Sequence, residues 1–163
     1  MFSALSTFTK VHVLISLIAI VAGLVAAVGL STGKRLNKWT ALFLLLTLLT
    51  SVTGFFFPFH GFTPAIGVGI VSLVVLAIAI FARYARKLNH AWRWIYVVTA
   101  MLALYLNVFV LIVQLFQKVP ALTSLAPTQT EPPFQFAQLA ALIIFLLWSI
   151  VAVIKFRPRI AIN

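Results

Sequence analysis

Five stretches of nearly uncharged sequence, 11–30, 39–57, 64–83, 94–116 and 134–154, occupy most of the chain. About 20 apolar residues in a helix rising 1.5 Å each match the roughly 30 Å hydrocarbon core of a bilayer. Lipid offers no hydrogen bonds to a backbone, so a lone segment can cross it only as a helix. The runs therefore predict an all-α chain: a polytopic transmembrane helical bundle of five spans, forming one domain over 1–163, with a cap over 117–133. Composition agrees with this solvent. Hydrophobic residues make up 64% of the chain and charged ones 8%, at a mean hydropathy of +1.19, where a soluble domain carries about 25% charged residues. The first run is longer than the apolar core of a secretory signal and is followed by the basic "GKRLNK", so it is expected to be a retained span.

The basic residues give the threading. Lys34, Arg35 and Lys38 follow the first run, Arg83, Arg86, Lys87 and Arg93 the third, and Lys155, Arg157 and Arg159 the fifth; only Lys10 and Lys118 fall on the other side. Positive residues stay cytoplasmic, which predicts an external N-terminus and an internal C-terminus. Trp39, Trp92, Trp94 and Tyr84 fall at the cytoplasmic boundary, where amphipathic rings prefer to lie. A net charge of +11 would point to nucleic acid in a soluble protein. Here the cations punctuate apolar runs and lack the exposed aromatic platform of a nucleic-acid groove, so contacts to anionic lipid headgroups are expected instead. The chain has no cysteine, which removes disulfides, thiolate metal sites and cysteine nucleophiles.

The joints differ in character. "GFFFPFHGFTPAIGVG" holds a helix end before Pro58, a turn at Gly61, and a new helix capped by Thr63 with Pro64 at its first position. His60 falls at the tip of this short outer hairpin, either as loop punctuation or as a ligand. "KVPALTSLAPTQTEPPF" has four prolines that interrupt any long helix, yet stays partly apolar, which suits a short interfacial helix or an ordered outer cap. No internal repeat divides the five spans, which weakens an inverted-repeat transporter reading.

Small and polar residues recur at helical spacing. His12, Ser16, Ala19, Gly23 and Ala26 share a face of the first span, and Ala19, Gly23 and Ala27 form a small-xxx-small series that suits packing inside the bundle or self-association. Thr47, Thr50, Ser51 and Gly54 gather in the second, Ala65, Gly69, Ser72 and Ala79 in the third, and Gln138 and Ser149 in the fifth. Asn107 and Gln114 lie seven residues apart on one stripe of the fourth. An amide in mid-membrane needs a partner, a water or a ligand. Two readings are open: interhelical bonding in a dry core, or a polar pocket of Asn107, Gln114, Thr47, Ser51 and Ser16 opening outward beneath the cap.

Glu131 is the only side-chain carboxylate. Paired acids, metalloprotease, phosphate-loop and dinucleotide motifs are all missing, which argues against an autonomous enzyme. His12, His60 and Glu131 map together to the outer face and form a candidate haem or metal set, since histidines at similar depth can ligate haem iron axially. The alternatives are an interfacial loop residue for His60, a helix-start residue for His12, and a helix cap or Lys118 partner for Glu131.

The stretches "WRWIYVV", "LYLNVFVLIVQLFQKVPAL" and "LAPTQTEPPF" resemble a group of small bacterial five-span inner-membrane proteins without an assigned activity. The resemblance implies a bacterial inner membrane and brings no ligand or site residue. The expected function is binding or passing a small or lipid-like ligand, or support of a larger membrane complex, as a homo-oligomer or with other membrane subunits. A haem or metal protein using His12 and His60, and a small channel or transporter, are the alternatives.

Overall fold

The computed structural model describes residues 6–58 and 61–157, and His60 lies outside the described residues. Among these every regular element is helical: α1 (Thr7–Ser31), α2 (Asn37–Gly54), α3 (Pro64–Ile80), α4 (Trp92–Lys118), α5 (Pro120–Leu125) and α6 (Pro132–Lys155). The starts follow from local chemistry. The Ser6 hydroxyl accepts from the Thr9 N–H at 3.2 Å, and the Thr63 hydroxyl from the Ile66 N–H at 3.4 Å. Prolines open α3, α5 and α6, where the missing N–H has no partner to lose.

Four segments, Thr7–Ser31, Pro64–Ala85, Trp92–Lys118 and Pro132–Lys155, are long and apolar enough to cross a membrane. The chain is a multi-pass membrane protein. The shorter α2 has 18 residues, opens on Asn37 and Lys38 and carries several hydroxyls, which lowers its average apolarity. It is nevertheless packed between α1 and α3 as a full member of the bundle. The long helices close a ring, α1 on α2, α2 on α3, α3 on α4, α4 on α6 and α6 back on α1, and α4 also reaches α1 and α2 across the middle.

Alternation of size fills that middle. Ala19, Ala22 and Ala27 of α1 face the large Phe43 of α2 and Met101 and Leu104 of α4, all nearly inaccessible. Gly23 marks the tightest approach: a Cβ there would lie 2.5 Å from Leu104 Cδ1 and 2.8 Å from Phe43 Cδ2. The outward faces are as apolar as the core. Leu14, Val21, Leu45, Val74, Ile144 and Leu147 are all more than half exposed, the pattern of a body dissolved in lipid.

The two ends differ. One carries Lys34, Arg35, Lys38, Arg83, Arg86, Lys87, Arg93, Lys155 and Arg157, and is the basic end. There α3 closes in a π turn, Phe81–Ala85, whose carbonyls accept from Arg86 N–H at 3.0 Å and Leu88 N–H at 3.1 Å. Lys87, Leu88 and His90 follow with positive φ, a costly run for residues with a Cβ, and Leu88 is tucked into the core. Arg93 donates to the carbonyls of Val153, at 3.0 Å, and Phe156, tying α4 to the end of α6. Trp148 Nε1 donates to Ser31 Oγ at 2.6 Å and ties α6 to α1.

At the opposite end α5 folds over α4. Thr123 Oγ1 donates to the Phe116 carbonyl at 2.8 Å, Gln129 Nε2 to that of Val113 at 2.9 Å, and Ala126 is fully buried. Phe116 meets Phe134 edge to face, centroids 5.4 Å apart, so the cap seats on carbon as well as on hydrogen bonds.

Candidate functional site

Asn107 and Thr47 are brought together. Asn107 Nδ2 donates to the fully buried Thr47 Oγ1 at 3.0 Å, joining α4 to α2 across the core. Gln114, one stripe further along α4, is exposed. With Asn107 level with Thr47, Gln114 stands level with the end of α2 at Gly54, and no element among the described residues covers it there. Ser16 donates to its own helix, to the Val13 carbonyl at 2.7 Å, and Ser51 is buried on α2. Of these five side chains, Asn107 and Thr47 are the pair that a hydrogen bond joins.

His12 lies between α1 and α2, with Nδ1 2.8 Å from Thr53 Oγ1 and its ring edge to face with Phe57 at 5.0 Å. Thr53 Oγ1 already donates to the Leu49 carbonyl at 2.6 Å. A hydroxyl has one proton, so it accepts here and Nδ1 carries the hydrogen; when the ring is neutral, Nε2 is then its lone-pair nitrogen. No group of three histidine or carboxylate side chains able to hold a metal occurs among the described residues.

Glu131 stands at the N-cap of α6 and organises the turn before it. Its carboxylate accepts from the Thr128 hydroxyl at 2.8 Å, the Thr128 N–H at 3.2 Å and the Thr130 N–H at 3.1 Å. Desolvation raises its pKa, but the hydrogen bonds from Thr128 and the backbone N–H groups outweigh it and hold the carboxyl below the usual range.

The sizeable hollow among the described residues lies elsewhere, on the lipid side between α4 and α6. It measures about 380 Å³ and is lined by Val98, Met101, Leu102, Tyr105, Leu142, Phe145, Leu146, Ser149, Ile150, Val153 and Ile154. Ser149 donates to the Phe145 carbonyl at 2.7 Å, so even its hydroxyl is satisfied within α6 and the wall presents carbon. The volume falls within the roughly 300–1,000 Å³ of small-ligand sites. Ser149 was visible in the sequence as a polar residue, but a groove made of Leu, Ile and Val has no signature beside other lipid-facing residues.

Arg83 is the second feature that spacing alone offered. Ser72, Leu76, Ala79 and Arg83 follow steps of four, three and four, the buried face of α3 carried one turn into the π segment. Arg83 is only 9% exposed, and its Nη2 donates to Asn37 Oδ1 at 2.6 Å. Counted with the other cations as a topology signal, it hid the fact that its side chain turns inward. Comparison with family models, curated proteins and solved structures finds no match to the chain.

Proposed function

We propose that this chain is a five-span protein of a bacterial inner membrane, N-terminus outside and C-terminus in the cytoplasm, that binds a lipid-like apolar ligand in the groove between α4 and α6. The observation that carries the reading is that groove: a ligand-sized hollow with carbon walls, open to the bilayer between two helices of the bundle. An acyl or isoprenoid chain matches such walls, while a polar solute would lose its hydrogen bonds there. The interior between α1, α2 and α4 is packed with Phe43, Tyr96 and Leu104, which favours binding over conduction.

A lipid carrying a diazirine in its acyl chain tests this. Crosslinks should concentrate several-fold at Leu142, Leu146 and Ile150 relative to Leu14 and Val21 on the open face of α1, and Leu146→Trp should abolish the excess. Even labelling of both faces would show ordinary solvation and end the proposal. A second copy or another membrane subunit would compete for the same face of α6, the least buried of the long helices. It would be read as rising oligomeric mass with falling crosslink yield.

The His12 geometry supports a second reading. An Nδ1–H held by Thr53 with Nε2 left as a donor atom is the arrangement of a metal- or haem-ligating histidine. A visible spectrum of protein purified with added haem, compared with His12→Ala, decides it by the presence or loss of a Soret shift.

A further inference from the structure

Arg83 carries a charge that the described residues do not balance. Its guanidinium carbon lies 5.2 Å from the Tyr96 ring centroid and 5.8 Å from that of Tyr84, and Nη2 is held by Asn37 Oδ1. Nη1 is buried and has no hydrogen-bond partner among the described residues. The one side-chain carboxylate in the sequence, Glu131, is at the opposite end of the bundle, engaged with Thr128 and Thr130. A lysine in this place could shed its proton, but a guanidinium cannot. A buried, permanently charged group with an idle N–H calls for an anion from outside the fold.

The surroundings select the anion's chemistry. The same end carries Lys34, Arg35, Lys38, Arg86 and Lys87, all exposed, so the field there is positive throughout. Asn37 is exposed, and because its Oδ1 accepts from Arg83, its NH2 group is left as a second donor beside the guanidinium. An Arg fork with an adjacent amide matches the oxygens of a phosphate. The exposed Phe81 and Tyr84 flank Arg83 on the outer surface of the π turn, giving apolar and amphipathic footing next to the charge.

We propose that Arg83 and Asn37 form a binding site for the phosphate group of an anionic phospholipid at the basic end of the bundle. The site is separate from the α4–α6 groove and stands whether or not that groove holds a ligand. Arg83 pairs the headgroup phosphate through Nη1 after a small side-chain shift, Asn37 adds a donor, and the exposed cations raise the local concentration of anionic lipid.

The test uses the full chain in a nonionic detergent, titrated separately with phosphatidylglycerol, phosphatidylcholine and inorganic phosphate, reading thermal midpoint and lipid retained in native mass spectra. Phosphatidylglycerol should raise the midpoint saturably, and Arg83→Gln should weaken its apparent affinity at least about tenfold. Lys38→Gln removes the same charge from an exposed position and should cost less than about threefold. Without lipid, Arg83→Gln should be no less stable than the parent, because an unpaired buried charge has gone. Arg83→Lys keeps the charge without the fork and should retain a weakened response, which preserves the comparison if Arg83→Gln does not fold. An Arg83-dependent shift with inorganic phosphate alone would keep the phosphate site and assign it to a soluble anion. Equal phosphatidylglycerol responses in parent, Arg83→Gln and Arg83→Lys would overturn the proposal and leave Arg83 as a structural tether for Asn37.

Discussion

Asn107, partly buried, holds α4 to α2 through a single bond, its NH2 on the fully buried Thr47 hydroxyl at 3.0 Å. Interhelical bonds of this kind in membranes contribute about 0.6 kcal/mol on average and rarely more than about 1.7. Asn107→Leu and Thr47→Val are each expected to lower unfolding stability in detergent by about 1 kcal/mol. The double variant should lose less than the two together, because one bond is removed twice. Full additivity would mean the two groups do not act as a pair. Crosslinking at the α4–α6 groove should be unchanged in all three, since the bond lies on the other side of α4. Glu131 gives a second residue-scale expectation. Its folded pKa is depressed, so the order it gives the Thr128–Thr130 turn is present above the ordinary glutamate pKa and is lost as pH falls through the lowered one. Amide resonances of Thr128 and Thr130 should titrate together with a midpoint below that of a free glutamate. A midpoint at or above it would show that the carboxylate does not hold the turn.

At the scale of elements, the stripe Ala19, Gly23 and Ala27 is spent inside the protomer, where it lets α1 approach α2 and α4. Gly23→Ala pushes a methyl into Leu104 and Phe43 and should destabilise by about 1–3 kcal/mol, with oligomeric mass unchanged. A change in mass without a change in stability would place that stripe at an interface between copies. The sequence shows how far such elements can be read. Helix starts at Thr63–Pro64 and Pro132 were legible because capping and proline act locally, and a short helix over Pro120–Leu125 forms in the proline-broken cap for the same reason. The paired polar residues on α2 and α4 were legible as a face but not as a pair, because choosing Thr47 over Thr50 depends on rotation and depth. Gln114 shares the Asn107 stripe and yet is exposed, since periodicity records a face and not whether a neighbour covers it at that depth. The α4–α6 groove was illegible for a different reason. In lipid the outside is as apolar as the inside, so the contrast that marks a pocket in a soluble protein is missing.

For the whole molecule, the proposed fifth crossing of the bilayer rests on α2. Its 18 residues span about 27 Å, close to the roughly 30 Å hydrocarbon thickness. Its buried residues include Thr40, Thr47 and Ser51, while Leu42, Leu45, Leu49 and Val52 face outward. Three of the hydroxyls that lower its average apolarity are therefore turned into the bundle, and its outward face is mostly hydrocarbon. Its far end touches the start of α1 through His12 and Thr53, and its near end touches the close of α3 through Asn37 and Arg83, so it runs the length of its neighbours. That placement supports the proposed fifth crossing. The proposed five crossings would put the two termini on opposite sides, and the concentration of Lys and Arg at one end would then predict a cytoplasmic location for it. A periplasm-active reporter should work when fused at the N-terminus or in the 119–131 segment, and a cytoplasm-active one after residue 34, after residue 90 and at the C-terminus. Four crossings would place both termini on one side, so a single reporter active at both ends would remove α2 from the membrane and reverse the assignment of every loop on one side of it. Replacing Lys34, Arg35 and Lys38 with glutamine should leave a mixed population, because the remaining cations at that end still outnumber Lys10 and Lys118 but no longer act at the first turn of the chain.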